Sequence, residues 1–517
     1  MVRLSACKMR PGLVLILTVC WFVPSSSGGK NVLFLVSDDM RPNIGAYEGK
    51  EYPVPVSPKM HTPNLDALAK KSLLLERAYV NQALCSPSRT SLLSSRRPDT
   101  THVYDLQHYF RIVGGNFTTL PQYFKQNGYR TIGMGKIFHP GMAASGNDDP
   151  ISWTDPYYHA TDSYRGVRDI WHAVPESEAK NEPLQDTILA DHAIQVLQEV
   201  APQAKSGEQP FFVAVGFHKP HWPWIFPKSF LDYYPLSSVR EPENYYVPED
   251  MPPVAWHNFA IFEMFRDIQE LHFKDFGDIN FTFPHDLTLE LRRAYYSALS
   301  YADSEVGRVI AELDKLGLAD NTIISFFGDH GYQLGEHSEW EKQTNFELAT
   351  HAPMMIHVPG LTDHGVKSQH LTEFVDLFPT LVELAELPPV PLCPEDSSSV
   401  ELCTEGMSMV PLLKNPNYPK WKTAAFSQTP REVGENSVMG YSVRTDQYRY
   451  TEWPEFQGSP QYQPHWNIEF GAELYDHHID PQENVNRAND PAYQSVRDEL
   501  RAKLKAGWRQ ALPPGHK

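Results

Sequence analysis

The stretch Asn31-Val32-Leu33-Phe34-Leu35-Val36-Ser37-Asp38-Asp39 decides the fold. Its apolar run is unbroken, and a strand without alternation has both faces buried. Two aspartates follow it directly. The same pattern recurs in Thr131–Met134 ahead of Lys136 and His139, in Phe211–Phe217 ahead of His218-Lys219-Pro220-His221, and in Thr322–Phe327 ahead of Asp329-His330. Met354–Val358 is a fifth run. Helical patterns lie between the strands: Asn64–Glu76 after a Thr-Pro start, and the amphipathic Leu287–Leu316, which ends at Gly317. This alternation predicts an α/β fold, a large mainly parallel sheet sandwiched by helices. Residues 141–190 and 230–285 are rich in Pro, Asp, Tyr and Trp and read as long insertions rather than core.

The character of the chain changes after Lys414-Asn415-Pro416-Asn417-Tyr418-Pro419-Lys420, a candidate linker. Met439–Arg444 and Gln447–Trp453 alternate apolar and polar residues around Thr445-Asp446, which predicts a β-hairpin. A helix is expected near Tyr493–Leu504. The expected division is a leader over 1–28, a main domain over 29–414, and a smaller C-terminal α+β domain with an antiparallel sheet over 421–517.

Arg3, Lys8 and Arg10 precede an apolar run from Leu13 to Val23 and then Pro24-Ser25-Ser26-Ser27. That order is expected of a secretory signal peptide, and the run is too short to span a bilayer comfortably. No later stretch reads as membrane-spanning, so a soluble protein of the secretory or lysosomal route is expected. Cys7 and Cys20 would leave with the leader. Cys393 and Cys403, in one Pro- and Ser-rich loop, are then the natural disulfide pair in an oxidising compartment. Cys85 is left as the odd thiol, where a reactive or modified residue is expected. The formal net charge of −19 makes the chain a poor general binder of polyanions such as nucleic acid. Asn116-Phe117-Thr118 and Asn280-Phe281-Thr282 are expected N-glycosylation acceptors.

Ligand sites in open α/β sheets lie at the carboxyl ends of the strands, and here those ends carry titratable groups. Singly, each has an ordinary explanation: Asp38-Asp39 as a helix cap, His218 and His221 as loop anchors, Asp329-His330-Gly331 as a turn, Lys136 as a solvated charge. Jointly, with Cys85-Ser86-Pro87-Ser88-Arg89 opening a helix, they point to a site. Asp38, Asp39 and Asp329 are hard oxygen ligands of the kind that calcium or magnesium takes. Arg89, Lys136 and Lys342 add fixed positive charge suited to a tetrahedral anion.

These residues resemble the sulfatases of the alkaline phosphatase superfamily, and the resemblance runs from about Asn31 to Asn486. It is carried by Ser37-Asp38-Asp39, by Cys85-Ser86-Pro87-Ser88-Arg89, and by Arg96-Arg97-Pro98-Asp99-Thr100-Thr101. Further markers are Gly135-Lys136-Ile137-Phe138-His139-Pro140-Gly141, His218-Lys219-Pro220-His221, Asp329-His330-Gly331 with Leu334-Gly335-Glu336-His337, and Glu473-Leu474-Tyr475-Asp476. Most members have Asp-Asn where this chain has Asp329-His330. An Asp-His branch acts on the 2-O-sulfate of terminal iduronate in heparan and dermatan sulfate.

The resemblance implies conversion of Cys85 to formylglycine by the formylglycine-generating enzyme. It implies one Ca2+ held by Asp38, Asp39, position 85, Asp329 and His330. Position 85 would attack sulfur, Arg89 and Lys136 would hold the aldehyde and sulfate, His221 and Lys342 would help protonate the leaving oxygen, and His139 would take the proton that releases sulfate. It also implies a lysosomal setting and an acidic optimum. Lys342 and His221 are further expected at the pocket mouth, as candidates to recognise a substrate carboxylate. Leu93-Ser94-Ser95 departs from the family's Leu-Thr-Gly, and the lost glycine bears on the turn read by the modifying enzyme. The rival readings are a sulfatase of another sulfated glycan, a phosphohydrolase on the same fold, and a non-catalytic secreted glycan-binding homologue.

Overall fold

The computed structural model of the chain describes residues 29–49, 58–144 and 146–516, and the expected leader lies outside the described residues. Seven strands form the principal sheet: β1 (Asn31–Ser37), β2 (Leu73–Leu75), β3 (Arg130–Gly135), β4 (Phe211–Phe217), β5 (Thr322–Gly328), β6 (Met354–His357) and β7 (Val366–Ser368). Their order is β7-β2-β6-β5-β1-β4-β3. β1 pairs in parallel with β4 and β5, and β4 with β3. Ser37 is in register with both Phe217 and Gly328. The residues that follow these strands therefore emerge along one edge of the sheet. β6 runs antiparallel to its neighbours, so the sheet is mainly parallel, as expected.

Both faces are covered by helices: α1 (Pro63–Ala69), α2 (Cys85–Ser94), α3 (Gln185–Ser206), α4 (His285–Lys315) and α5 (Leu377–Leu384). Leu33 and Leu35 of β1 share one core with Leu189 and Leu197 of α3 and with Leu299 and Val306 of α4. Val32, Phe34 and Val36 share the other core with Leu92 of α2 and Phe378 of α5. The period of two in a strand thus distributes one apolar run between two helical layers.

Two expectations are corrected. The helix predicted over Asn64–Glu76 stops at Ala69, because Leu73–Leu75 pairs with Met354–Ile356 as β2. Three consecutive leucines satisfy either period, and sheet pairing decides between them. The segments 141–190 and 230–285 are not outside the core. Trp153, Phe259 and Phe262 are fully buried, and Phe259 makes ring contacts with Phe262, Phe276, Phe281 and Phe283.

A second sheet, β8 (Ala425–Val433), β9 (Asn436–Arg444), β10 (Tyr448–Gln457) and β11 (Gln463–Asp476), is an antiparallel meander. It includes the predicted hairpin. Leu500 and Leu504 of α6 (Gln494–Ala506) pack on its Val443, Tyr450 and Leu474. This sheet braces the principal one. Gln428 N donates to Asn81 O at 2.8 Å, Thr429 Oγ1 to Gln343 O at 3.2 Å, and Asn345 Nδ2 to Gly440 O at 2.9 Å. Buried Arg449 lies 2.7 Å from Glu483 and 2.5 Å from Glu347, which Arg444 also reaches at 3.1 Å. Cys393 and Cys403 are disulfide-bonded, as expected. Among the described residues no helix is long and apolar enough to cross a membrane.

Candidate active site

The site gathers at the shared strand edge. β1 delivers Asp38 and Asp39, β3 delivers Lys136, β4 delivers the loop of His221, and β5 delivers Asp329 and His330. Cys85 is the first residue of α2 and is buried. Its Sγ lies 3.5 Å from Lys136 Nζ, 3.5 Å from His330 Nε2 and 3.6 Å from Asp38 Oδ1.

Arg89 is one turn further along α2, which puts it on the same face as Cys85. Its Nη2 donates to Asp38 Oδ1 at 3.0 Å and its Nε to Asp329 Oδ2 at 2.9 Å. A third set of bonds reaches the carbonyls of Lys136 and Ile137. Arg89 therefore ties three strand ends to the helix of the thiol. Lys136 Nζ donates to Asp38 Oδ2. Burial alone would raise the Asp38 carboxyl, but Lys136, His221 and Arg89 hold it well below the usual carboxylate range.

Asp39 takes a left-handed backbone at φ 58°, a conformation uncommon outside glycine but tolerated by aspartate. It is fixed there from both sides. Asp39 N donates to Asp329 Oδ1 at 2.9 Å, and Tyr295 Oη donates to Asp39 O at 2.7 Å. Lys342 Nζ lies 2.8 Å from both Asp39 oxygens. Burial pushes Asp39 up to about 6 against the pull of Lys342. Glu341 and Gln343, on either side of Lys342, are also left-handed, at φ 76° and 73°. Strained backbone of this kind persists where the surroundings over-determine it.

His330 bears on the metal question. In the neutral imidazole, an Nδ1–H donating to Gly331 O at 2.8 Å leaves the lone pair on Nε2. That lone pair faces Asp39 Oδ1 at 3.4 Å and Asp329 Oδ2 at 3.6 Å. An acceptor among carboxylate oxygens is an arrangement that a divalent cation satisfies. The donor atoms of Asp38, Asp39, Cys85 and His221, and those of Cys85, Asp329 and His330, converge in two overlapping groups. The residues present fit an oxygen-seeking ion with one imidazole ligand. Gly331 is required by packing, since a Cβ there would lie 2.0 Å from Leu348 O.

His221 faces Asp39 Oδ2 at 3.9 Å, and burial, then Lys342 and Lys136, holds its pKa well below the ordinary value. Burial and Lys136 push His139 down to about 4. His139 Nδ1 lies 3.0 Å from Pro140 O. Asp38, Lys136, His221 and Trp222 open onto a cleft of ≈ 200 Å³.

One expectation about position fails. Lys342 is buried and engaged with Asp39, so it is not at the pocket mouth. Arg96 and Arg97 are structural: Arg97 pairs with Glu373 at 2.6 Å, and Arg96 donates to the carbonyls of Ser397, Val400 and Cys403. The departure at Ser95 is resolved by bonds to distant segments. Ser95 caps α2 at φ 54°, the conformation glycine favours, and its Oγ donates to Val375 O at 2.6 Å and meets Thr404 Oγ1 at 2.7 Å. Two bonds of about 1 kcal/mol each offset a strain of similar size, so the turn survives without the glycine.

Asp186, at the start of α3, is a functional residue without a strong sequence signal. It accepts from His218 N and Lys219 N, each at 2.9 Å, and lies 3.0 Å from His218 Nδ1, which pins the loop of His221. Its one visible signal was an acidic residue in a helical first turn, hidden inside a segment read as insertion.

Residues 30–387 match the family model described as Sulfatase. The chain belongs to the sulfatase family. It is therefore an enzyme that hydrolyses sulfate esters. Residues 335–510 match the model for N-sulphoglucosamine sulphohydrolase, C-terminal. The enzyme is 37% identical to iduronate 2-sulfatase of Mus musculus, over 92% of this chain and 94% of that one. It is 37% identical to iduronate 2-sulfatase of Homo sapiens, over 90% and 92%. Its fold is shared with a solved 2-O GAG sulfatase at TM-score 0.67 and 21% identity, covering 93% of this chain and 92% of that one. It is also shared with phosphonate monoester hydrolase of Agrobacterium radiobacter at TM-score 0.70 and 20% identity, covering 93% and 96%.

Proposed function

We propose that the enzyme is an exo-sulfatase that removes the 2-O-sulfate of terminal L-iduronate in heparan sulfate and dermatan sulfate, in the lysosome. The observation that carries the reading is the setting of Cys85. Burial, then the Asp38 charge, pushes its thiol far above the ordinary range, and a buried neutral thiol is a poor nucleophile. Yet it sits 3.5 Å from Lys136 Nζ, at the focus of every charged strand end. Conversion to formylglycine resolves the contradiction, because its hydrated aldehyde supplies a hydroxyl nucleophile for sulfur in place of the thiol. Asp38, Asp39, Asp329 and His330 are the residues that would hold Ca2+, whose charge would polarise the sulfate ester.

The chain's own groups then have separable tasks. Arg89 and Lys136 keep positive charge beside position 85. Lys342, which burial would lower but Asp39 raises, acts as a fixed cation rather than a proton donor. Burial, then Lys342 and Lys136, disfavours the His221 proton; an arriving sulfate monoanion offsets the two lysine charges and so favours the proton that His221 would pass to the leaving sugar oxygen. His139, held near 4, stays an unprotonated base in mildly acidic solution, fit to take a proton at position 85.

We also read residues 29–414 as the catalytic domain and 421–517 as a smaller C-terminal domain, a division that the separate antiparallel sheet supports. Asn116 and Asn280 are exposed, which suits N-glycans at both. The 37% identity to iduronate 2-sulfatases supports the uronate over other sulfated sugars. The test compares a 2-O-sulfated iduronide with the same sugar carrying its carboxylate reduced to an alcohol. A charge-assisted contact of roughly 1.5–3 kcal/mol predicts a tenfold to hundredfold preference for the acid. Equal kcat/KM for the two removes the uronate assignment and leaves a sulfatase of another glycan.

A further inference from the structure

The two loops that carry His221 and Lys342 are joined by their next residues. Trp222 Nε1 donates to Glu341 Oε1 at 2.5 Å. Glu341 is buried, and its other oxygen lies 3.9 Å from His257 Nε2. The indole is held on further sides. Phe265 meets it edge-on at 5.4 Å and 83°, the His221 ring lies 4.7 Å away, and Lys342 Nζ is 5.8 Å from its centroid. Trp222 remains only half-buried and lines the same cleft as Asp38, Lys136 and His221.

A rigid indole beside the reacting group is a platform for a sugar. The faces of an aromatic ring carry negative potential, and the axial C–H groups of a pyranose present the opposite sign. We propose that Trp222, latched by Glu341, is the wall against which the pyranose ring bearing the sulfate packs. Glu341 is then a positioning residue that sets the plane of the indole, and Trp222 determines specificity. The inference rests on the reading that the Cys85 site is hydrolytic toward a sulfated sugar.

The test uses W222F, W222L, W222A, E341Q and E341A in the full chain, with two readouts. One is KM for 2-O-sulfated methyl iduronide. The other is the Kd of unsulfated methyl iduronide by calorimetry, which needs no turnover. W222A and W222L are expected to raise both constants about tenfold, while W222F stays within about threefold, because a flat π face rather than volume is required. E341Q keeps an acceptor for the indole N–H and should resemble wild type, whereas E341A should weaken sugar binding. Sugar binding by W222A equal to wild type overturns the proposal, as does W222L matching W222F. Should W222A fail to fold, the Leu and Phe variants decide. A wild-type enzyme that hydrolyses no sulfated sugar refutes the functional reading, and the calorimetric comparison still decides the wall.

Discussion

Glu339 makes stability depend on pH in a direction that suits an acidic compartment. It lies in the loop between Gly335 and Lys342, fully buried, with His257 N donating to its Oε1 at 2.9 Å. Burial pushes its carboxyl from 4.5 up to about 8, against the weaker pull of the His257 amide. The folded state thus binds the proton more tightly than the unfolded chain does. The stabilisation is complete below pH 4.5 and is lost as pH rises toward 8. At 1.36 kcal/mol per pH unit the loss over that window is about 5 kcal/mol. With an unfolding entropy near 2.1 cal/mol/K per residue, a chain of this size melts about 4 °C lower for that loss. Glu339→Gln keeps the acceptor and cannot ionise. Calorimetric melting curves from pH 5 to 8 should show wild type and variant together at pH 5, with the variant about 4 °C higher at pH 8. Parallel curves across the range would refute the assignment of a buried neutral acid.

Peptide mass spectrometry of secreted protein should find formylglycine at position 85, and Cys85→Ser should fold yet lose turnover; a free thiol in fully active enzyme sinks the mechanism. Calcium at a hundredfold excess over its Kd should stabilise the protein by about 2.7 kcal/mol, and Asp329→Ala should abolish that gain in a melting assay; an equal gain in the variant removes Asp329 from the ligand set. Asp186→Ala leaves the amides of His218 and Lys219 without their acceptor and should cost about 1.5–3 kcal/mol. It should also lower kcat/KM at least tenfold, while Asp186→Asn recovers part of the loss; an unchanged rate in the alanine variant would mean that the His221 loop needs no anchor.

Much of this enzyme was legible before folding. Apolar runs without alternation in β1, β3, β4 and β5 imply strands covered on both faces, and a parallel arrangement places their carboxyl ends together. Asp38, Lys136, His221 and Asp329 were therefore recognisable as a group, because each follows its strand by only a few residues. Cys85 was recognisable as the odd thiol, and Cys85 with Arg89 as a motif that resembles the sulfatases. What the sequence left open depends on contacts between distant segments. Leu73–Leu75 has no intrinsic preference strong enough to choose strand over helix, and Met354–Ile356 chooses for it. Ser95 keeps a glycine conformation only because Val375 and Thr404, some 300 positions away, bond its hydroxyl. Lys342 reads as an exposed cation until its loop folds it onto Asp39. The Trp222–Glu341 latch joins positions 119 residues apart. Local pattern fixes which side chains leave a strand and on which face; their partners, burial and charge state follow only from which loops the tertiary fold brings into contact.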